Sequence, residues 1–112
     1  MLNDSIIINE KNNIAEFSSG NLFLVLNNQI ITPPLDSGCI NGIIRKKILS
    51  FNSFMGLSIL EKNVKTSDLY NADELFSTNV ISGVIIISYL KEKKYSKKYS
   101  SLLNDKLNSL FS

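Results

Sequence analysis

Three short segments of the chain place small polar or charged residues where regular elements are predicted to meet. They are residues 16–21 (EFSSGN), 38–45 (GCINGIIR) and 77–83 (STNVISG). Connecting segments held by regular elements are where binding and catalytic groups are concentrated in proteins. The candidate chemistry is therefore a carboxylate in the first segment, a helix start in the second and a polar loop in the third.

The first segment holds a single carboxylate, Glu16, between the apolar residues Ile14 and Phe17. A carboxylate in such surroundings is partly buried and needs a partner. A protonated heteroaromatic nitrogen would suit it. The alternative is an ordinary hairpin glutamate with a solvated side chain, and the local pattern alone favours that alternative.

The second and third segments offer backbone and side-chain donors. Asn41 is a predicted N-cap, and the free N–H groups of the helix start that follows attract a phosphate. Gly42 would let an anion approach the backbone closely, although no Lys-Ser/Thr pair follows to make a Walker A loop. An ordinary capped helix is the alternative for this segment, and a plain polar loop is the alternative for residues 77–83.

Length and composition exclude several classes of site. The 112 residues carry a net charge of +2 and are 44% apolar, which predicts one globular domain. With no histidine and one cysteine, the chain has no Ser-His-Asp triad, no internal disulfide and no multi-Cys zinc site. It lacks the roughly 18-residue apolar run of a membrane helix, and its small net charge argues against nucleic-acid binding. A cytoplasmic protein is expected.

The first half of the chain predicts two hairpins and a helix. The predicted strands are Ser5–Ile8 and Ile14–Phe17, joined by a turn at 9–13, and Asn21–Leu26 and Gln29–Thr32, joined by Asn27-Asn28. The helix is predicted from Asn41 to about Phe54, with Gly56 as its C-terminal cap. Its buried stripe is Ile44, Ile48, Phe51 and Met55, and Arg45, Lys46 and Lys47 occupy other faces.

The second half predicts further strands at Ser58–Val64, Glu74–Thr78 and Gly83–Leu90. Thr66 or Ser67 caps a short helix, and Ser96–Phe111 is an amphipathic helix with Tyr99, Leu102, Leu103, Leu107, Leu110 and Phe111 on one side. Asp73 and Glu74 make a poor acid/base pair because adjacent strand residues point to opposite faces. The fold class is mixed α/β (α+β), with about seven short strands, one central helix and one C-terminal helix.

In order and spacing, the three segments resemble the class IV aminotransferases. The stretches that carry the resemblance are IAEFSSGNLFLV, TPPLDSGCINGIIRKKIL and ADELFSTNVISGV, within a region from about Ile6 to Leu90. The family includes branched-chain and D-amino-acid aminotransferases and aminodeoxychorismate lyases. The resemblance implies the larger pseudo-barrel domain of fold-type IV, normally in a homodimer. It also implies pyridoxal 5′-phosphate as cofactor, and an amino acid and a 2-oxo acid as substrates.

The resemblance also implies a role for each matching residue. Glu16 would bond the pyridine nitrogen and keep it protonated, so that the ring absorbs the electrons of a carbanion. Ser18 and Ser19 would lie beside the ring, and Asn21 would support the turn. The residues matching the two phosphate-binding segments are Gly42, Ile43, Ile44, Asn79 and Val80.

The sequence departs from the family pattern in two ways. Many relatives have Thr at Ile44 and Ser or Thr at Val80, so two hydroxyl contacts to phosphate are missing, at about 1 kcal/mol each. The family's Schiff-base lysine lies upstream of the glutamate motif, whereas only 15 residues precede Glu16 here. Residues 1–112 are therefore predicted to be the C-terminal, cofactor-binding domain, without the N-terminal domain and its lysine, and inactive alone.

Two other functions stay open at this stage. An aminodeoxychorismate lyase is the alternative within the family, because the segment TNVISGV resembles the loop of both groups. A degenerate, non-catalytic domain of the same fold is the alternative from another class. The absent lysine and the residues Ile44 and Val80 favour it, whereas the retained Glu16 disfavours it.

Overall fold

The computed structural model describes residues 6–8, 13–17 and 19–111. Short strands and three α-helices are the regular elements of this part of the chain. In chain order the elements are β1 (Ile6–Ile8), β2 (Ile14–Phe17), β3 (Asn21–Leu26), β4 (Gln29–Thr32), a 3-10 turn (Leu35–Ser37), α1 (Ile43–Ser50), β5 (Ser53–Phe54), β6 (Leu57–Glu61), α2 (Thr66–Asn71), β7 (Glu74–Asn79), β8 (Gly83–Ile87), β9 (Tyr89–Leu90), β10 (Lys93–Lys94) and α3 (Lys98–Phe111). None of the helices in these ranges is both long enough and apolar enough to cross a bilayer.

A six-stranded sheet in the order β5-β6-β4-β3-β7-β8 forms the centre of the fold. β4 and β6 pair in parallel, and α1 lies in the connection between them, as a parallel pair requires. The other neighbours in the sheet pair antiparallel. β1 and β2 form a separate antiparallel pair. The mixed α/β class predicted from the sequence is confirmed.

The sheet is covered on both faces, which explains why β3 is almost continuously apolar. Leu22 and Leu24 pack in one cluster with β2 and α2, whereas Phe23 and Val25 pack in the other with α1 and α3. This division follows from the alternation of side chains along a strand. The Phe23 ring stacks on Phe76 of β7 with centroids 5.2 Å apart. The site described below lies at the end of these two central strands.

The predicted strands in the first half of the chain are confirmed from residue 14 onwards. β2, β3 and β4 have the predicted bounds. Asn27 and Asn28 have φ of 53° and 60°, the left-handed pair that a two-residue hairpin turn needs. The first strand, predicted as Ser5–Ile8, is Ile6–Ile8 in the structure. Residues 9–12 of the predicted turn lie outside the described residues.

The predicted bounds of the central helix are wrong at both ends. α1 begins after Gly42, not Asn41, and ends at Ser50, not near Phe54. The chain leaves the helix through Asn52, whose φ is 63°, and then forms the short hairpin β5–β6. Gly56 therefore belongs to that hairpin turn and caps no helix. Met55, predicted to be buried, is 58% exposed beside it.

Arg45 lies on the buried side of α1, contrary to the prediction that it occupies another face. Its side chain is 2% exposed and forms an ion pair with Glu61 on β6. Its guanidinium also donates to the carbonyl of Pro33 and to Oδ1 of Asn41, both at 3.1 Å. Burial of the guanidinium is tolerated because these groups satisfy most of its donors.

Several boundaries in the second half also differ from the prediction. β6 ends at Glu61, and Val64 makes only an isolated bridge to Ile14. Lys65 is the N-cap of α2, where the Asp68 carboxylate accepts its backbone N–H at 2.9 Å. Three strands of two residues raise the number in the described part from about seven to ten. The predicted strand Gly83–Leu90 and the predicted helix Ser96–Phe111 are shorter in the structure, as β8 and α3. Leu102 and Leu110, predicted to lie on the buried side of that helix, are exposed.

Glu74 is a structural carboxylate at the N-terminus of α3, a role that the sequence did not reveal. Its side chain is 1% exposed. It accepts the backbone N–H groups of Tyr99 at 2.8 Å and Ser100 at 2.9 Å, and the hydroxyls of Ser96 at 3.1 Å and Ser100 at 2.8 Å. A negative charge at this end also complements the helix dipole. Glu74 therefore joins α3 to the sheet.

Replacing Glu74 with alanine is expected to lower the free energy of unfolding by about 2–3 kcal/mol, because buried donors lose a charged acceptor. Urea denaturation of the 112-residue chain followed by circular dichroism measures the effect. The neighbouring Asp73 is exposed, so Asp73→Ala is a matched control with an expected change within about 0.5 kcal/mol. Equal effects of the two substitutions would contradict the assigned role.

Candidate functional site

A cleft of about 220 Å³ lies where the three polar segments of the sequence meet. Its lining residues come from the end of β2, the start of β3, the start of α1 and the end of β7. They are Glu16, Gly20, Asn21, Ile40, Gly42, Ile43, Ile44, Thr78, Asn79 and Val80. The first and last of these lining residues are more than 60 positions apart in the sequence, yet they belong to one concave surface.

Six of the eight site residues predicted from the sequence line this cleft: Glu16, Gly42, Ile43, Ile44, Asn79 and Val80. Ser19 is not among the lining residues, and its hydroxyl lies 2.7 Å from that of Ser77. Ser18 lies outside the described residues. The lining residues that had no predicted binding role are Gly20, Ile40 and Thr78.

Glu16 supplies the acidic group of the cleft. It is half-buried in β2, and this burial raises the pKa of its carboxyl, while the backbone N–H of Ile40 acts in the opposite direction. The one ion pair within the described ranges joins Arg45 to Glu61, so Glu16 has no cationic side chain bound to it there. The site therefore contains a partly desolvated carboxylate that a cationic ligand would stabilise.

Asn21 fixes the helix start over the end of the sheet. Its buried side chain donates from Nδ2 to the carbonyl of Ile40 at 2.6 Å, which joins β3 to the loop before α1. Its Oδ1 lies 2.5 Å from the point that a Cβ at residue 42 would occupy. A side chain at position 42 would therefore displace the Asn21 amide from its bond to Ile40.

The start of α1 has the features of an anion site. Gly42 is the N-cap and provides no side-chain cap, and Lys46 N–H to Gly42 carbonyl is the first helical bond, at 3.0 Å. The N–H groups of Ile43 to Arg45 come before that bond, and such groups have no partner within a helix. Together with the helix dipole, they favour an anion at this point.

The loop after β7 is held in shape by the side chain of Asn79. Its Nδ2 donates to the carbonyl of Ser19 at 2.8 Å, and its Oδ1 accepts the N–H groups of Ile81 at 3.0 Å and Ser82 at 2.7 Å. The amide therefore organises the backbone of the loop. Val80, next to it, has an exposed side chain at the rim of the cleft.

Thr78 is the other polar residue of this strand end. It lies opposite Asn21 in the pairing of β3 with β7 and is 1% exposed. Its hydroxyl is one of two buried side-chain polar atoms in the described part of the chain that have no hydrogen-bond partner. Thr78 belongs to the polar segment 77–83 singled out from the sequence, but it also ends a predicted strand and received no individual role.

The model of the family described as amino-transferase class IV matches residues 2–90. The chain belongs to the class IV aminotransferase family. The resemblance drawn from the three motifs is therefore confirmed, and the match covers most of the chain.

Individual relatives include both transferases and a lyase. A probable branched-chain-amino-acid aminotransferase from Thermotoga maritima is 33% identical over 92 residues, which are 82% of this chain and 34% of that protein. An aminodeoxychorismate lyase from Vibrio harveyi is 31% identical over 85 residues, 76% of this chain and 31% of that protein. The chain thus spans about a third of the length of these relatives.

The fold agrees with solved structures of the family. An aminotransferase from Brucella abortus, solved with the cofactor PLP, superposes with a TM-score of 0.85 at 27% identity. The superposition covers 96% of this chain and 39% of that one. The implied fold-type IV architecture is confirmed for this region.

The raised pKa of Glu16 predicts a specific pH dependence of stability. Because the folded state holds the proton more tightly than the unfolded state, the free energy of unfolding falls as pH rises through the window above the ordinary value of 4.5. Above the raised pKa the loss is complete. Glu16→Gln removes this contribution, so the variant gains stability relative to the parent as pH rises.

Urea unfolding across about pH 4 to 7 measures this difference, and carboxyl chemical shifts locate the midpoint directly. Glu92→Gln, at an exposed position, is the matched control for the substitution itself. A Glu16 midpoint at or below 4.5 would contradict the burial argument.

Proposed function

We propose that this chain supplies the cofactor-binding part of a pyridoxal-phosphate-dependent aminotransferase, which moves an amino group between an amino acid and a 2-oxo acid. The observation that carries the proposal is that Glu16 and the uncapped helix start at Gly42 line the same cleft. One group suits a protonated ring nitrogen and the other suits a phosphate, and pyridoxal 5′-phosphate has both.

The residues present fit this cofactor. Glu16 is a half-buried carboxylate, and a pyridinium would supply its missing counter-charge. Gly42 has no side chain that could cap the N–H groups of the helix start. The cleft is smaller than the roughly 300 Å³ and upward of complete small-molecule sites, which supports the view that this chain supplies only part of the site.

When bound, the cofactor supplies an electron sink for a carbanion formed at the substrate Cα. Glu16 would hold a proton on the ring nitrogen by charge attraction. The backbone N–H groups of Ile43 and Ile44 would donate to the phosphate, with Gly42 as the N-cap whose own N–H donates to the carbonyl of Ile40 at 3.0 Å. The backbone at Asn79 and Val80 would supply the second phosphate contact. The side chain of Asn79 keeps that loop in place through its bonds to Ser19, Ile81 and Ser82.

The lysine that such an enzyme needs is not among the residues lining the cleft. We propose that it belongs to a part of the enzyme outside this chain, in keeping with the third of the relatives' length that the chain spans. Exposed apolar side chains at the rim, including Ile40, Ile43 and Ile81, support a further protein surface closing the cleft. Homodimer formation and a cytoplasmic location remain predictions.

Aminodeoxychorismate lyase activity is a second candidate, favoured by specific relatives. The Vibrio harveyi lyase is 31% identical, close to the 33% of the Thermotoga aminotransferase. A putative 4-amino-4-deoxychorismate lyase from Legionella pneumophila superposes with a TM-score of 0.81. Both reactions would use the same contacts from this chain. A non-catalytic domain is disfavoured because Glu16 keeps a half-buried carboxylate that has no cationic side chain bound to it among the described residues.

The chain is expected to bind pyridoxamine 5′-phosphate, which has an amine in place of the aldehyde and so forms no bond with lysines. Backbone amide shifts should move at residues 42–44 and 79–80, and pyridoxamine, which lacks the phosphate, should bind at least about tenfold more weakly. Glu16→Gln should weaken binding by about tenfold, and the control Glu92→Gln should not. Absence of shifts at these residues would overturn the proposal.

Catalysis is expected only when the missing part is restored. The 112-residue chain alone should show no transamination. A chimaera that joins it to the part of the Thermotoga relative outside the matched region should transfer the amino group of glutamate to 2-oxo acids. Pyruvate release from aminodeoxychorismate in the same chimaera would select the lyase reaction. Transamination by the isolated chain would show that the catalytic amine lies within it.

A further inference from the structure

We propose that the Thr78 hydroxyl donates a hydrogen bond to the phosphate held at the start of α1. This inference rests on the proposed function and adds a binding residue to it. Among the residues that line the cleft, Thr78 is the only one with a hydroxyl group. The two flanking positions of the phosphate segments, Ile44 and Val80, offer apolar side chains.

The first argument is the unsatisfied hydrogen-bonding capacity of Thr78. Its hydroxyl is buried and has no partner among the described residues. Thr32 provides the contrast within the same sheet, since it is equally buried but donates to the carbonyl of Leu22 at 2.7 Å. Buried polar groups are nearly always paired, so an exception that lines a cleft points to a partner that binds there.

The second argument is the position of Thr78. Directly opposed residues of antiparallel strands have their side chains on the same face, so Thr78 lies on the side of Asn21. Asn21 contacts Ile40 and crowds Gly42, which places this face against the start of α1. Ser77 faces the other side of the sheet and bonds Ser19. The hydroxyl therefore belongs to the helix-start end of the cleft.

The third argument is chemical. The backbone N–H groups at the helix start and the Thr78 hydroxyl are all donors, and a phosphate offers only acceptor oxygens. A phosphate at this point would satisfy the hydroxyl that the protein leaves without a partner. The structure thus places a buried, unpaired hydroxyl and a helix start, both hydrogen-bond donors, in the lining of one cleft.

This role predicts two effects of opposite sign for the isosteric substitution Thr78→Val. Without ligand, the variant should be as stable as the parent or more stable, because a buried unpaired hydroxyl is removed. Its affinity for a phosphate ligand should nevertheless fall about tenfold. A residue that only packs the sheet would not separate stability from binding in this way. Thr78→Ser keeps the hydroxyl and should retain most of the affinity.

The experiment titrates the 112-residue chain with pyridoxamine 5′-phosphate, pyridoxamine and inorganic phosphate, followed by amide shifts, with urea denaturation of each variant. Thr66→Val, at an exposed position, is the control. Weaker binding of both phosphate-bearing probes to Thr78→Val, with pyridoxamine unchanged, supports the inference. Equal weakening of pyridoxamine binding, or unchanged binding of the phosphate-bearing probes, overturns the inference while leaving the proposed function in place.

If the parent binds no phosphate-bearing probe at residues 42–44, both proposals fail. If Thr78→Val does not fold, retained affinity in Thr78→Ser together with lost affinity in Thr78→Ala decides the question.

Discussion

The hydrogen bond from Asn21 to the carbonyl of Ile40 is the contact on which the geometry of the cleft depends. It joins the first residue of β3 to the loop that leads into α1, and it brings Asn21 so close to Gly42 that a side chain there would displace the Asn21 amide. Arg45 anchors the same helix on its other side, through Pro33, Asn41 and Glu61. The N–H groups of the helix start are therefore fixed relative to the end of the sheet, as a binding site with low reorganisation requires.

Three buried or half-buried polar groups show how structural and binding roles differ in this fold. Glu74 accepts four hydrogen bonds at the start of α3 and is fully occupied in holding that helix. Glu16 is half-buried with a raised pKa and no bound cationic side chain, and Thr78 is buried with no partner at all. Of these three groups, the two with unmet needs, Glu16 and Thr78, line the cleft. Arg45 Nε is the other buried side-chain atom without a partner in the described part of the chain, and it lies outside the cleft lining. Incomplete satisfaction together with a place in the cleft marks the candidate site.

The features predicted from the sequence are those that neighbouring residues determine. Asn27-Asn28 predicts its turn because both residues tolerate positive φ, and the apolar run of β3 predicts a buried strand because every position faces a packed layer. The predicted end of α1 was wrong because Ser53 and Phe54 pair with β6 in a hairpin. Local helical periodicity does not reveal that pairing. Arg45 and Glu74 were missed for the same reason, since their burial depends on partners 12 or more residues away. The site segments were found because their polar and glycine positions interrupt apolar elements. Thr78 lies in one of these segments, but it received no individual role because threonine is common in strands.

The rim of the cleft carries exposed apolar side chains. Ile81 is 93% exposed, and Ile40, Ile43 and Val80 are also exposed beside the polar groups that line the cleft. Contiguous apolar side chains next to unsatisfied polar groups are unfavourable in water, and they are typical of surfaces that another protein surface or a ligand covers. Closing this side would exclude water from Glu16 and the helix start, and lower local polarity strengthens both interactions with a charged ligand. A second surface on this rim would then tighten the binding of a charged ligand relative to the open cleft.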